Sequence, residues 1–218
     1  MDRPVILFDL DGTLIDSTEA ILEGFRVAFE TFNTPVPHED KIKNEIGHTL
    51  ENMFLTLGVD EQYIDAHVHA YKMHYQVISC QKTTLLEGAR EAIVEASGFA
   101  NLGIVTTKTG KYSTILLEHM DLMKYFDVLI GREDVEHPKP HAEPILRALE
   151  SFECDKKSVW MIGDTPMDII SANSANINAI AVTSGYASYQ ELKKYTFQIY
   201  DNSLTAVEFI KNSDESYK

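Results

Sequence analysis

Val5-Ile6-Leu7-Phe8-Asp9-Leu10-Asp11-Gly12-Thr13 is the stretch from which the rest of the chain is read. Its four leading apolar residues suit a strand buried on both faces, and the polarity then switches abruptly to two carboxylates, a glycine and a hydroxyl. Chemistry is therefore expected at that strand's carboxyl end. Asp9 and Asp11 stand two residues apart, so in extended chain both point to one side at a separation of roughly 6 to 7 Å, enough for a tetrahedral group to fit between them. Gly12 lets the chain turn sharply and lets a ligand approach the backbone. Two plainer readings compete. A calcium loop fails on spacing, since it wants oxygen ligands at its first, third and fifth positions, glycine at the sixth and glutamate at the twelfth, between helices. Here the glycine is fourth and a strand precedes it. A solvated Asp-Gly turn stays open until the rest of the chain is weighed.

Working outward, Asp16 or Ser17 can cap a helix with Ile21, Leu22, Phe25, Ala28, Phe29 and Phe32 at helical spacing, ended by Asn33-Thr34-Pro35. A short helix before Gly47, another from Thr49 to Leu57 and a longer one from about Asp60 to Ser79 follow. The last presents Ile64, Val68, Tyr71, Tyr75 and Ile78 on one face. Residues 16–83 thus predict helices and no strand. His67, His69 and His74 fall in the longest of these helices, none paired at i, i+4, and a solvated or interface face is expected for them rather than a metal site.

From Glu87 the pattern alternates. Helices are expected at Glu87 to Ser97 (ended by Gly98), Lys111 to Leu122, Pro140 to Phe152, Pro166 to Ala175 and Leu204 to Ile210. Strands are expected at Leu102 to Thr106, Val128 to Gly131, Val159 to Gly163, Ala179 to Val182 and Phe197 to Tyr200, and the end from Ser213 to Lys218 is expected to fray. The fold class that results is α/β, a Rossmann-like parallel sheet with helices on both faces. A small helical domain, residues 16–83, is inserted after the first strand, and residues 1–15 with 84–218 form the core. Ligands of such sheets bind beyond the carboxyl ends of the strands. Those ends here carry Asp9 and Asp11, then Thr106, Thr107 and Lys108, then Gly163-Asp164-Thr165, while Lys139 lies one loop beyond the third strand.

Composition narrows the setting. The 218 residues are 44% hydrophobic and 24% charged, ordinary for a globular domain. No apolar run is long enough for a membrane span, and Met1-Asp2-Arg3-Pro4 leads into the first strand without a signal stretch, so a cytoplasmic location is expected. Cys80 and Cys154 lack the spacing of a disulfide framework or zinc site. A net charge of −15 opposes nucleic acid and anionic membranes. It also makes each lysine beside a motif informative, Lys108 and Lys139 above all.

These residue types fit phosphoryl transfer to a carboxylate. One aspartate can attack phosphorus and a second can protonate the leaving oxygen, then activate water. Several aspartates beside a phosphate repel by about 4 kcal/mol per pair at 4 Å and an effective dielectric near 20, so a cation is needed, and oxygen ligands around a phosphate suit magnesium. Lys139 can hold phosphate and nucleophile together, and the Thr106 hydroxyl can donate to phosphate oxygens.

Four elements in this order resemble the haloacid dehalogenase superfamily: Asp-Leu-Asp-Gly-Thr at 9 to 13, the strand ending in Thr106, Lys139, and Gly-Asp-Thr-Pro-Met-Asp at 163 to 168. The likeness spans essentially the whole chain and includes the helical insertion, where that family carries a cap domain. Thr106-Thr107-Lys108, Lys139-Pro140-His141 and Gly163-Asp164-Thr165 make the chain most similar to its phosphoglycolate phosphatase-like members. The resemblance implies Asp9 as nucleophile, Asp11 as acid and base, and Thr106, Thr107 and Lys139 as phosphate-binding. It implies Mg2+ held by Asp9, the Asp11 backbone carbonyl and Asp164, with Asp168 in support. It also implies a monomer or homodimer acting on a small phosphorylated metabolite, with neither nucleic acid nor membrane as partner.

Plainer roles stay open beside these. Thr106 can be a β-branched strand end and Lys139 a solvated loop lysine. Thr165, Pro166 and Asp168 form a capping-box-like pattern, so Asp168 can serve helix initiation as well as a metal. Gly47 and His48 are either a loop reaching into the site or an ordinary interhelical turn. Asp11 argues against dehalogenation, because that branch of the family lacks the second aspartate. A phosphomutase or pyrophosphatase on the same scaffold, and a non-catalytic phosphate-binding module, are the competing functions.

Overall fold

The structure, a computed structural model, describes residues 3–215. Its strands are β1 (Val5–Phe8), β2 (Ile15–Asp16), β3 (Thr84–Leu85), β4 (Asn101–Val105), β5 (Val128–Ile130), β6 (Val159–Gly163), β7 (Asn178–Val182) and β8 (Ile199–Tyr200). Six of them form one parallel sheet in the order β5-β4-β1-β6-β7-β8. The unbroken apolar run of β1 follows from its central place, with Leu7 opposite Gly103 on one side and Met161 on the other. Successive side chains alternate between faces. Ile6 and Phe8 join a cluster with Ile93, Leu116 and Val207, while Val5 and Leu7 join another with Ile145, Ile169 and Ala172.

The helices are α1 (Thr18–Thr31), α2 (Glu39–Lys43), α3 (Leu50–Thr56), α4 (Ile64–Ile78), α5 (Ala89–Phe99), α6 (Gly110–His119), α7 (Glu143–Leu149), α8 (Pro166–Ala175), α9 (Tyr189–Leu192) and α10 (Ser203–Glu215). Helices α5, α6 and α10 contribute to the first cluster and α7 and α8 to the second, so both faces of the sheet are covered. Helices α1 to α4 bury a third cluster of their own around Phe25, Phe54 and Tyr71. The α/β architecture with a helical insertion after the first sheet strand is as expected.

Several local expectations are corrected. Residues 16–83 do not lack strand at their borders. Ile15 pairs with Leu85 and Asp16 with Thr84 in an antiparallel ribbon, β2 with β3, that brings both ends of the insertion together. Helix α5 runs through Gly98 to Phe99, because the helix packs on the sheet through Ala92, Ile93 and Ala96 and tertiary burial outweighs one glycine. The helix expected from Pro140 begins at Glu143, whose carboxylate accepts the backbone N–H groups of Glu136 and His137 and so holds the preceding loop. His67 is buried among Phe29, Phe32 and Phe54, with Nδ1 2.9 Å from the Tyr63 carbonyl, instead of lying on a solvated face. His69 is exposed and His74 pairs with Glu23 at 2.8 Å. Residues 216–218, part of the stretch expected to fray, lie outside the described residues.

Candidate active site

The carboxyl edge of the sheet gathers the polar side chains. Asp9 continues β1, its N–H donating to the Ile162 carbonyl at 2.9 Å. Lys139 reaches in from the loop beyond β5, with its side chain 2% exposed. Its Nζ lies 2.9 Å from Asp9 Oδ1 and 2.5 Å from Asp168 Oδ1, and donates to the Val105 carbonyl at 3.0 Å. Asp168 is therefore doubly employed. Its Oδ2 accepts the Thr165 N–H at 3.0 Å and the Thr165 hydroxyl at 2.7 Å, closing the capping box of α8, with Pro166 at the first helical position. Its Oδ1 meanwhile clamps the lysine. Asp164, directly after β6, accepts the Thr13 hydroxyl at 3.2 Å and the Tyr186 N–H at 2.8 Å.

One oxygen from each of Asp9, Asp164 and Asp168 can be chosen so that all three lie within 4.8 Å of one another, and all three residues are buried. Burial pushes the Asp9 carboxyl up to about 7, against the pull of Lys139 and with Asp168 and Asp11 adding repulsion. Burial likewise raises Asp164 well above the carboxylate range, and the charges of Asp9 and Asp168 push the same way. Burial alone would lower Lys139, but Asp168 and Asp9 outweigh it and hold the ammonium charged. Three carboxylates thus share one cation. This donor set, all oxygen and short of positive charge, fits a hard divalent metal ion.

Gly12, at φ +80°, turns the chain just beyond Asp11, and a Cβ there would collide with the Asp164 carboxylate and stand 2.9 Å from Tyr186 Cδ2. Asp11 has partners other than those of Asp9. Its carboxylate accepts the Ser17 hydroxyl and lies 3.0 Å from Lys108 Nζ. Lys108 in turn donates to the Tyr75 hydroxyl of α4 at 3.1 Å and sits 4.7 Å from the centre of that ring. Burial opposes its charge, yet Asp11 and the two tyrosines Tyr75 and Tyr71 keep the ammonium well above its ordinary range.

Thr106 is buried, and its hydroxyl accepts the Lys108 N–H at 3.2 Å, fixing the 106–108 turn. The Thr107 hydroxyl donates to the Gly47 carbonyl at 2.8 Å. Gly47 packs against Thr165 and Met167, so the loop between α2 and α3 does reach the sheet edge, and exposed His48 follows it. Between the insertion and that edge lies a cavity of about 50 Å³, lined among others by Asp11, Gly47, His48, Glu51, Lys108 and Arg132.

Nothing in the sequence marks Tyr186, Glu51 or Arg132 as site residues, and it marks Ser17 only as a helix cap. Ser17 reads as a helix cap, yet it makes no capping bond; Asp16 accepts the Thr18 N–H at 2.9 Å and leaves the Ser17 hydroxyl to Asp11. Lys108 carried a signal, being a cation directly after a strand end in an acidic chain.

The sequence pattern of haloacid dehalogenase-like hydrolases matches residues 6–182. A probable phosphatase, IndB, of Dickeya dadantii is 32% identical over 212 residues, covering 94% of this chain and 92% of its own. The pyrophosphatase PpaX of Bacillus cereus is 33% identical, covering 82% of each chain. Among solved structures, a haloacid dehalogenase-like hydrolase from Bacteroides fragilis superimposes with a TM-score of 0.88 at 29% identity, over 94% of this chain and 99% of that one. The order of the strand-end residues, the parallel sheet and these similarities agree: the chain belongs to the haloacid dehalogenase-like hydrolases.

Proposed function

We propose that the protein is a magnesium-dependent phosphatase that hydrolyses small phosphate monoesters through an aspartyl-phosphate. What carries the reading is the different partners of two carboxylates two residues apart: Asp9 in the buried cluster with Lys139, Asp164 and Asp168, and Asp11 beside the cavity with Ser17 and Lys108. In this reading an Asp9 oxygen attacks phosphorus, the ester P–O bond breaks, and Asp11 gives its proton to the departing alkoxide. Asp11 then takes a proton from water as it attacks the aspartyl-phosphate, which releases phosphate and regenerates Asp9. Lys139 pairs with both nucleophile and phosphate, and the Thr106–Lys108 turn offers donors to phosphate oxygens. Asp9 and Asp164 would hold Mg2+, with Asp168 positioning Lys139, and the ion would neutralise charge on the transferring group.

A phosphoanhydride, inorganic pyrophosphate, is the second reading, favoured by the name of the Bacillus cereus relative and by Lys72, Lys108 and Arg132 around the cavity. The test of the main reading is magnesium-dependent release of p-nitrophenol from its phosphate. Asp9→Asn is expected to lower kcat by about 10³-fold or more. Magnesium at a hundred times its Kd should stabilise the wild type by about 2.7 kcal/mol in thermal unfolding, and Asp164→Asn should lose most of that shift. Equal activity in Asp9→Asn would refute the mechanism.

A further inference from the structure

We propose that Glu51 and Arg132 form a leaving-group subsite that selects phosphate esters whose small alcohol carries both a hydrogen-bond donor and an anionic oxygen group. The inference rests on the phosphatase reading and deepens it. Glu51 lies in the first turn of α3, in the insertion, and Arg132 follows β5 in the sheet domain, yet both line the cavity beside Asp11. Arg132 is fixed from two sides, its N–H donating to the Lys108 carbonyl at 3.0 Å and its Nη1 to the Val135 carbonyl at 3.0 Å.

Two atoms there stand out. Glu51 Oε2 and Arg132 Nε are buried without a hydrogen-bond partner among the described residues. Buried polar groups are nearly always paired, so an unpaired acceptor and an unpaired donor on two residues that line one cavity define what would complete them. A glutamate only accepts and a guanidinium only donates. The complementary ligand therefore offers a hydroxyl or ammonium to Glu51 and an oxygen acceptor to Arg132.

Charge sharpens the class. Lys72, Lys108 and Arg132 line the cavity against Asp11 and Glu51, and Lys108 is already paired with Asp11. In a chain of net charge −15, this local excess of cations accommodates an anionic alcohol. The glycolyl group of phosphoglycolate would instead set only acceptor oxygens against the Glu51 carboxylate.

The experiment uses the full-length protein with magnesium and compares 3-phosphoglycerate with 3-phosphonooxypropionate, which differ only in one hydroxyl, alongside inorganic pyrophosphate and p-nitrophenyl phosphate. The wild type is expected to favour 3-phosphoglycerate at least about tenfold in kcat/KM, carried by KM, since a site built to bond a hydroxyl rejects the analogue lacking it. Glu51→Gln should shrink that preference to about threefold or less. Arg132→Met should raise KM for both carboxylates relative to glycerol 3-phosphate. Turnover of p-nitrophenyl phosphate with no preference within the matched pair, or a preference untouched by either substitution, overturns the subsite and leaves the phosphatase reading standing. If no ester is hydrolysed, calorimetric Kd values on the same protein decide. A preference in binding then upholds the subsite while the catalytic reading falls, and equal Kd values refute the subsite as well.

Discussion

Lys139 is the one cation among three buried carboxylates, and its removal tests how the cluster is balanced. Lys139→Met would leave Asp9 and Asp168 buried without their partner, and a loss of about 3–5 kcal/mol is expected in urea unfolding. Added magnesium should recover part of it by supplying the missing positive charge. At this scale the sequence announces Asp9 and Asp164 because chemistry-bearing residues at strand ends break an apolar pattern, and Lys139, one loop beyond a strand, because a lysine beside a motif is conspicuous in an acidic chain. Asp168 is half visible. Its spacing from Thr165 declares the capping box, while its grip on Lys139, 29 positions away, has no local trace. Ser17 and Tyr186 have none either, since their bonds to Asp11 and Asp164 arise only when the insertion and the loop after β7 are folded against the sheet.

The α2–α3 loop couples the insertion to the sheet edge through Gly47. At φ +106° a side chain is disfavoured, and a Cβ would stand 3.0 Å from Met167 Cε and 3.1 Å from Thr165 Cγ2. Gly47→Ala is expected to hold the loop off the edge and lower kcat/KM by about tenfold, mostly through KM, with thermal stability changing little by comparison. Helices α1 and α4 are tied by Glu23, bonded to Lys82 at 2.8 Å and His74 at 2.8 Å. Those two partners hold the Glu23 carboxyl down at about 2, below its ordinary 4.5. A depressed carboxylate contributes stability above its unfolded value and loses it as pH falls, here between about 4.5 and about 2. Protection of the α1 and α4 amides, referenced to the intrinsic exchange rate at each pH, should fall across that window, and Glu23→Gln should flatten the dependence. The pair is partly exposed, so added salt should weaken the effect. Long amphipathic elements such as α1 and α4 are legible from apolar spacing. The two-residue strands β2 and β3 are not, because a period needs more residues to declare itself.

Across the whole molecule, three separate apolar clusters divide the chain, two on the faces of the sheet and one inside the insertion. Among the described residues, hydrogen bonds between the insertion and the sheet domain are scattered, namely Thr107 to Gly47, Lys108 to Tyr75, Tyr112 to the Lys72 carbonyl, Ser17 to Asp11 and Tyr186 with Thr18 at 3.0 Å, while Tyr112 and Tyr186 also pack against the insertion's apolar cluster. Such a boundary suits relative motion. The topology follows from the alternation of helix and strand, which the sequence displays plainly. The face that the insertion turns toward the sheet does not follow, because it depends on those scattered polar contacts. No helix among the described residues is long and apolar enough to cross a membrane.

The ribbon of β2 and β3 has an evolutionary reading. Because Asp16 and Thr84 are paired neighbours, the chain leaves and re-enters the sheet domain at one doorway, and whatever lies between can be exchanged without altering strand order. Joining these residues by a tight turn, with 17–83 deleted, is expected to give a cooperatively unfolding sheet domain by circular dichroism that no longer turns over substrate. Recognition and chemistry would then be separable inheritances, grafted at a single point.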